Sequence, residues 1–209
     1  DTMLKRFKLR YHEIGDINTL LCDSRGEVWI GTEEDGLWHD KDGQMEHLLT
    51  GKTVSVISED TRGRIWVGTF HNGVYCINGS SIVNYNTSNS DLPENAVIAV
   101  QPDRLGNVWI GTQGSDLSKL VFSDNRLVSV EKKWNDVKGI CFSYDKHNNL
   151  YVGTYYGWKR IDIVTGEAFT MWDDKWAFCK MVIPSLALEQ AANRLWICNP
   201  PLLSVFALN

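Results

Sequence analysis

A ten-residue phrase recurs along this chain at near-regular intervals, and that recurrence constrains the fold more than any single residue does. It runs Asp23 to Thr32, Asp60 to Thr69, Asp103 to Thr112 and Asp145 to Thr154. Each copy opens on Asp-x-x-Gly, a tight-turn signal, continues through a short apolar stretch centred on Trp29, Trp66, Trp109 or Tyr151, and closes on Gly-Thr. The fourth copy has Asn148, followed by Asn149, where glycine is expected, and asparagine is the next-best residue for a positive φ. A weaker fifth copy, Glu189 to Asn199, keeps Leu195, Trp196 and Ile197 but has one extra residue and Cys198-Asn199 in place of Gly-Thr.

The period, about 37 to 45 residues, is that of four-stranded propeller blades. Helical repeats of this length need long runs of 3.6-residue periodicity, and the chain has none. Each unit instead reads as four short strands separated by Gly, Asn and Asp turns. In the first these are Ile17 to Cys22, Val28 to Thr32, Gly36 to His39 and Met45 to Leu49. Consecutive apolar residues in the second strand, such as Val28-Trp29-Ile30, imply a sheet covered on both faces, as a blade between two blades is. The repeated aromatics are therefore expected at equivalent buried positions, including Trp196, each removing on the order of 200 Å² from water.

The expected fold is all-β, a single β-propeller over residues 1–209 with about five four-stranded blades. The blades fall at approximately 12–51, 52–92, 93–134, 135–175, and 176–209 completed by 1–11. In that arrangement the alternating strand Leu4 to Tyr11, with Phe7 and Leu9, pairs with Leu203 to Leu208 and closes the ring, which removes two exposed sheet edges. A piece of a larger propeller, cut within a blade at both ends, is the alternative.

Twenty-one Lys and Arg against 26 Asp and Glu leave a net charge of −5, with the cations scattered, which argues against a nucleic-acid surface. No apolar run is long enough to cross a bilayer and no leader pattern opens the chain, so no direct membrane contact by this segment is expected. Five dispersed cysteines, Cys22, Cys76, Cys141, Cys179 and Cys198, lack metal-ligand spacing and read as small buried hydrophobes; a Cys141–Cys179 disulfide is the minority reading. No phosphate loop, nucleophile elbow or His/Glu metal motif is present, so no cofactor, metal or catalytic residue is expected.

The phrase Asp-x-x-Gly-x-apolar-Trp-apolar-Gly-Thr, followed by Gly36-Leu37-Trp38 or Gly73-Val74-Tyr75, resembles the two-component regulator propeller repeat. Units three and four keep Gly-Thr but change the tail to Ser115-Asp116-Leu117 and Gly157-Trp158. The resemblance implies a periplasmic sensor region of a bacterial hybrid histidine kinase, which binds a nutrient-derived ligand such as a glycan fragment and passes a signal on. It also implies a homodimer formed through neighbouring segments of a longer receptor.

Where that ligand would sit follows from the loops between second and third strands. They read Glu33-Glu34-Asp35, Phe70-His71-Asn72, Gln113-Gly114-Ser115 and Tyr155-Tyr156, and they differ among units whose strands do not. Rings, amides and carboxylates suit a hydroxyl-rich ligand, so Glu34, Phe70, His71, Gln113, Tyr155 and Tyr156 are the candidate ligand-binding residues. The bland alternative is that exposed loops simply vary. Glu33 and Glu34, adjacent on one loop, do not supply the two-sided carboxylate geometry of glycoside cleavage. A propeller lyase or glycoside hydrolase and a protein-interaction platform remain as alternatives to a non-catalytic recognition module.

Overall fold

The computed structural model describes residues 14–135, 137–170, 182–199 and 202–208. They contain five antiparallel sheets and no helix. Each sheet is a meander in which consecutive strands are neighbours. Blade 1 is β1 (Ile17–Cys22), β2 (Val28–Thr32), β3 (Leu37–Lys41) and β4 (Gln44–Leu48); blade 2 is β5 (Val54–Glu59), β6 (Ile65–Thr69), β7 (Val74–Asn78) and β8 (Ser81–Tyr85). Blade 3 is β9 (Val97–Pro102), β10 (Val108–Thr112), β11 (Leu117–Ser123) and β12 (Arg126–Trp134), and blade 4 is β13 (Gly139–Tyr144), β14 (Asn149–Thr154), β15 (Gly157–Asp162) and β16 (Ala168–Thr170). Among the described residues blade 5 has three strands, β17 (Ser185–Glu189), β18 (Arg194–Asn199) and β19 (Leu202–Ala207). The strand proposed to close the ring, with Phe7 and Leu9, lies outside the described residues.

The Asp of each repeat does two jobs. One Asp60 carboxylate oxygen accepts the backbone N–H groups of Arg62 and Arg64 at 2.9 and 3.1 Å, which builds the turn. The other accepts the Trp66 indole N–H at 3.0 Å, which fixes the ring across the hairpin. The same bond joins Trp29 to Asp23 (3.1 Å), Trp109 to Asp103 (2.9 Å) and the Tyr151 hydroxyl to Asp145 (3.0 Å). In the fifth copy Glu189 accepts from Trp196 at 3.1 Å, its longer side chain spanning the one-residue insertion. Sequence reasoning finds the turn role and misses the indole bond, because the partner is six residues away on a different strand.

Burial raises the Asp23 pKa, but the bonds from the Arg25 guanidinium, the Trp29 indole and the backbone N–H groups of Glu27 and Arg25 outweigh it and bring the carboxyl down to about 2. Asp60 and Asp145 are lowered for the same reason, against the same cost of burial.

Blades stack face to face, with the first strands side by side in chain order. The seam between blades 1 and 2 packs Trp29 and Leu37 on Val54, Ile57 and Val67; the next packs Trp66, Val74 and Cys76 on Val97, Val100 and Ile110. The Gly of Gly-Thr makes this possible. A Cβ on Gly68 would stand 2.8 Å from Val97 Cγ1 of the next blade, and one on Gly31 would stand 2.4 Å from Val54 Cγ1. Polar contacts stitch the turn end of the seams, as where Glu59 accepts from the Ser24 backbone and hydroxyl at 2.7 and 2.6 Å, and where Arg104 donates to the Asp145 carbonyl at 2.6 Å.

Two expectations are corrected here. Trp29, Trp66, Trp109 and Tyr151 are buried, but Trp196 is only half-buried, because no blade among the described residues packs on its face. Of the four cysteines among the described residues, only Cys76 is buried; Cys22 is exposed, and Cys141 and Cys198 are half-buried. Cys141 is a free thiol that donates to the Ile183 carbonyl at 3.1 Å, and burial pushes its pKa up to about 12. Cys179 itself lies outside the described residues.

Candidate functional site

The loops between second and third strands stand at one end of the blades, opposite the Asp turns. In units one, two and four their roots are built alike. The Thr32 hydroxyl donates to the Gly36 carbonyl at 2.8 Å and accepts the Asp35 N–H at 3.0 Å; Thr69 does the same with Gly73 and Asn72, at 2.8 and 3.1 Å, and Thr154 with Gly157 and Tyr156, at 2.9 and 3.1 Å. The glycine closing each of these three loops has φ of +87°, +76° or +102°, a conformation that side-chain-bearing residues rarely adopt. The first loop residue then ties back to the segment entering its own blade: Glu33 N–H to the Asp16 carbonyl, Phe70 to Thr53 and Gln113 to Ala96.

On these roots Glu34, His71, Gln113, Tyr155 and Tyr156 are exposed and Phe70 is half-buried. Tyr156 is 73% exposed and stands away from the core. Phe70 and His71 are neighbours, with ring centroids 6.5 Å apart. Glu34 lies in an open acidic basin with Asp16, Glu33 and Asp35. None of the other five candidates lines that basin; they stand on the equivalent loops of blades 2, 3 and 4.

Two features of this end were not singled out from sequence. Beside the acidic basin, the Trp38 and His47 rings stack 3.9 Å apart, Trp38 donates its indole N–H to Asp35 at 3.0 Å, and His47 bonds the Asp35 carbonyl. In blade 2, Asn84 donates to the matching carbonyl of Asn72 at 2.8 Å, so His47 serves the loop as Asn84 does. The second feature is in blade 3, where a cavity of about 440 Å³ opens beside Ser115, Asp116, Ser118 and Lys132. The altered tail of the third unit was the available signal, but its consequence depends on what the neighbouring strand contributes.

At the opposite end, a cavity of about 400 Å³ in the seam between blades 1 and 2 is lined by Arg25, Glu27, Trp29, His39, Lys41 and Glu46. His39 stacks on Trp29 at 3.6 Å with its Nε2 3.0 Å from Glu27. Its charges pair internally: Arg25 and Lys41 lie 3.3 and 3.6 Å from Glu27. Among the described residues no group of three or more His, Cys, Asp or Glu side chains is placed to hold a metal ion.

The family model described as "Two component regulator propeller" matches residues 14–34, 48–71 and 91–114. The chain carries two-component regulator propeller repeats. These matches take in the second strand and the opening loop residues of units one to three, the part of the repeat that presents Glu34, Phe70, His71 and Gln113. Among solved structures, the repeat-bearing chain is similar to the extracellular domain of a proposed hybrid two component system of B. thetaiotaomicron, with a TM-score of 0.77 at 19% identity, over 96% of this chain and 29% of that one. It is also similar to PorZ, a surface component of the type-IX secretion system of Porphyromonas gingivalis, with a TM-score of 0.73 at 14% identity over 98% of this chain and 34% of that one. Virginiamycin B lyase of Staphylococcus aureus superposes with a TM-score of 0.68 at 14% identity, over 92% of this chain and 70% of the lyase. At these identities the likeness is one of fold. The chain spans less than a third of the length of the extracellular domain it matches. No curated protein matches the sequence.

Proposed function

We propose that these blades form part of a non-catalytic recognition propeller of a two-component regulator, reading a small hydroxyl-rich nutrient such as an oligosaccharide on the outer side of the inner membrane. The observation that carries this reading is the contrast within each unit. The Thr root and closing glycine of the loop recur in units one, two and four, while the residues they hold up differ in charge, ring and amide character from blade to blade. A scaffold that repeats with loops that do not is the arrangement in which separate blades each contribute one contact to an asymmetric ligand. Rings at Phe70, Tyr155 and Tyr156 would stack on sugar faces, and Glu34, His71 and Gln113 would fix hydroxyl orientation. Extracellular placement is in keeping with the B. thetaiotaomicron domain that shares the fold.

The test is a calorimetric and thermal-shift screen of oligosaccharides on the full chain, with product analysis of the same samples. Binding of an intact sugar, weakened by Phe70→Ala and by Tyr155→Ala, supports the reading. Cleavage of the sugar would replace it with the enzyme reading, and binding untouched by both substitutions would place the site on other residues.

A further inference from the structure

Among units one to four the loop root fails in unit three, and it fails in a way that leaves buried hydroxyls without partners. In units one and two the closing glycine is followed, after one residue, by an aromatic, Trp38 or Tyr75, whose neighbour on the fourth strand, His47 or Asn84, holds the loop carbonyl. In unit three the glycine is Asp116, which does not take the positive φ of Gly36 and Gly73, and the aromatic is Ser118. With the loop redrawn, the Thr112 hydroxyl loses both bonds that Thr32 and Thr69 make. Thr112 is 1% exposed and Ser118 0%, and neither hydroxyl has a hydrogen-bond partner. A buried, unpaired hydroxyl costs about 1 to 3 kcal/mol, so two of them in one loop root call for a reason.

The space left by the missing aromatic is the cavity of about 440 Å³, with Ser118 in its wall. Lys132, which stands in the irregular stretch of β12 opposite Ser118, and Lys138 also line it; neither lysine is ion-paired among the described residues. Ser115, Asn135 and the Asp116 carboxylate complete the polar wall. Among the described lining residues two ammonium groups face one carboxylate, and the Glu94 carboxylate accepts the Gly114 N–H at 2.8 Å at its edge.

We propose that this cavity in blade 3, beside the Gly114–Ser118 loop, binds a small hydroxylated carboxylate of monosaccharide size. Lys132 and Lys138 take the carboxylate, and Ser115, Asn135 and Asp116 take hydroxyls, Asp116 only as acceptor. The proposal rests on the reading of this end as a recognition surface and adds a charge to its ligand and a place to its site.

Glucuronate and glucose are the matched probes, since they share a ring and differ by a carboxylate. Calorimetry on the full chain at fixed ionic strength is expected to show glucuronate binding at least about tenfold tighter than glucose, a difference of about 1.4 kcal/mol. Ser118→Tyr, which installs the unit-two aromatic, should fill the cavity and abolish glucuronate binding. The double variant Lys132→Ala and Lys138→Ala, on exposed side chains whose removal leaves the core untouched, should reduce it at least about tenfold and remove its salt dependence. Equal binding of the two sugars, no glucuronate binding, or glucuronate binding that survives the double variant overturns the proposal. Oligosaccharide binding that depends on Phe70 and Tyr155 but ignores Ser118 and both lysines overturns it too, while leaving the broader recognition reading in place.

Discussion

The seam between blades 2 and 3 and the outer face of blade 5 are made from the same repeat and behave differently. In the seam, Trp66 is fully buried on its Asp60 clamp, and Gly68 lets Val97 of the next blade approach to within van der Waals contact. On the outer face of blade 5 the corresponding residues are Trp196, half-buried on Glu189, and Cys198, with Leu203 66% exposed and Val205 43% exposed beside them. Blade 1 shows the complementary face: Leu20, in the register position of Ile57, is 63% exposed where Ile57 is 7% exposed. The clamp survives where the packing does not. The Asp–Trp bond is therefore a property of the hairpin, whereas burial and the requirement for glycine are properties of the seam, created by a neighbour.

That comparison can be broken by paired substitutions. The largest effect should come from Trp66→Ala, costing about 3 to 5 kcal/mol in chemical denaturation, against about half of that or less for Trp196→Ala; equal losses would mean that the outer face of blade 5 is packed after all. Next, Ile57→Ala should cost about 2 to 4 kcal/mol, while Leu20→Ala should stay within about 0.5 kcal/mol of the parent. Gly68→Ala should destabilise by about 1 to 3 kcal/mol through overpacking against Val56 and Val97, whereas Cys198→Ala, which only shortens a half-buried side chain, should change the melting temperature little. A Cys198→Ala variant as damaged as Gly68→Ala would show that a tight seam forms there.

The smallest effect sharpens the clamp. The Asp23 carboxyl is depressed in the folded protein relative to its unfolded value of about 3.9, so its contribution to stability is complete above that value and is lost as the pH falls through about 2. Melting curves from pH 5 to pH 2 should therefore fall more steeply for the parent than for Asp23→Asn, and parallel curves would deny the carboxylate its role.

The two loop roots offer the second lesson about legibility. The sequence pattern places Glu34, Phe70, His71, Gln113, Tyr155 and Tyr156 on equivalent loops, and the strands flank them there because the Gly-Thr that opens each loop is read locally. The cavity beside Ser118 was not legible in the same way. The change from Gly to Asp116 and from aromatic to Ser118 can be seen in the sequence, but a missing ring leaves a hole only if nothing else moves in, and what moves in belongs to other strands. Likewise His39 and His47 carry no motif; their stacking on Trp29 and Trp38 follows from cross-strand register.

The sequence by itself determined the all-β class, the five repeating units, the strand positions to within a few residues and the turn role of each Asp, because hairpins are local and their turn chemistry is written in consecutive residues. Only the tertiary structure decided which aromatics are buried, why glycine ends the second strand, and where space is left over. Those depend on the distance between one blade and the next, and no residue within a single unit encodes the surface that its neighbour presents.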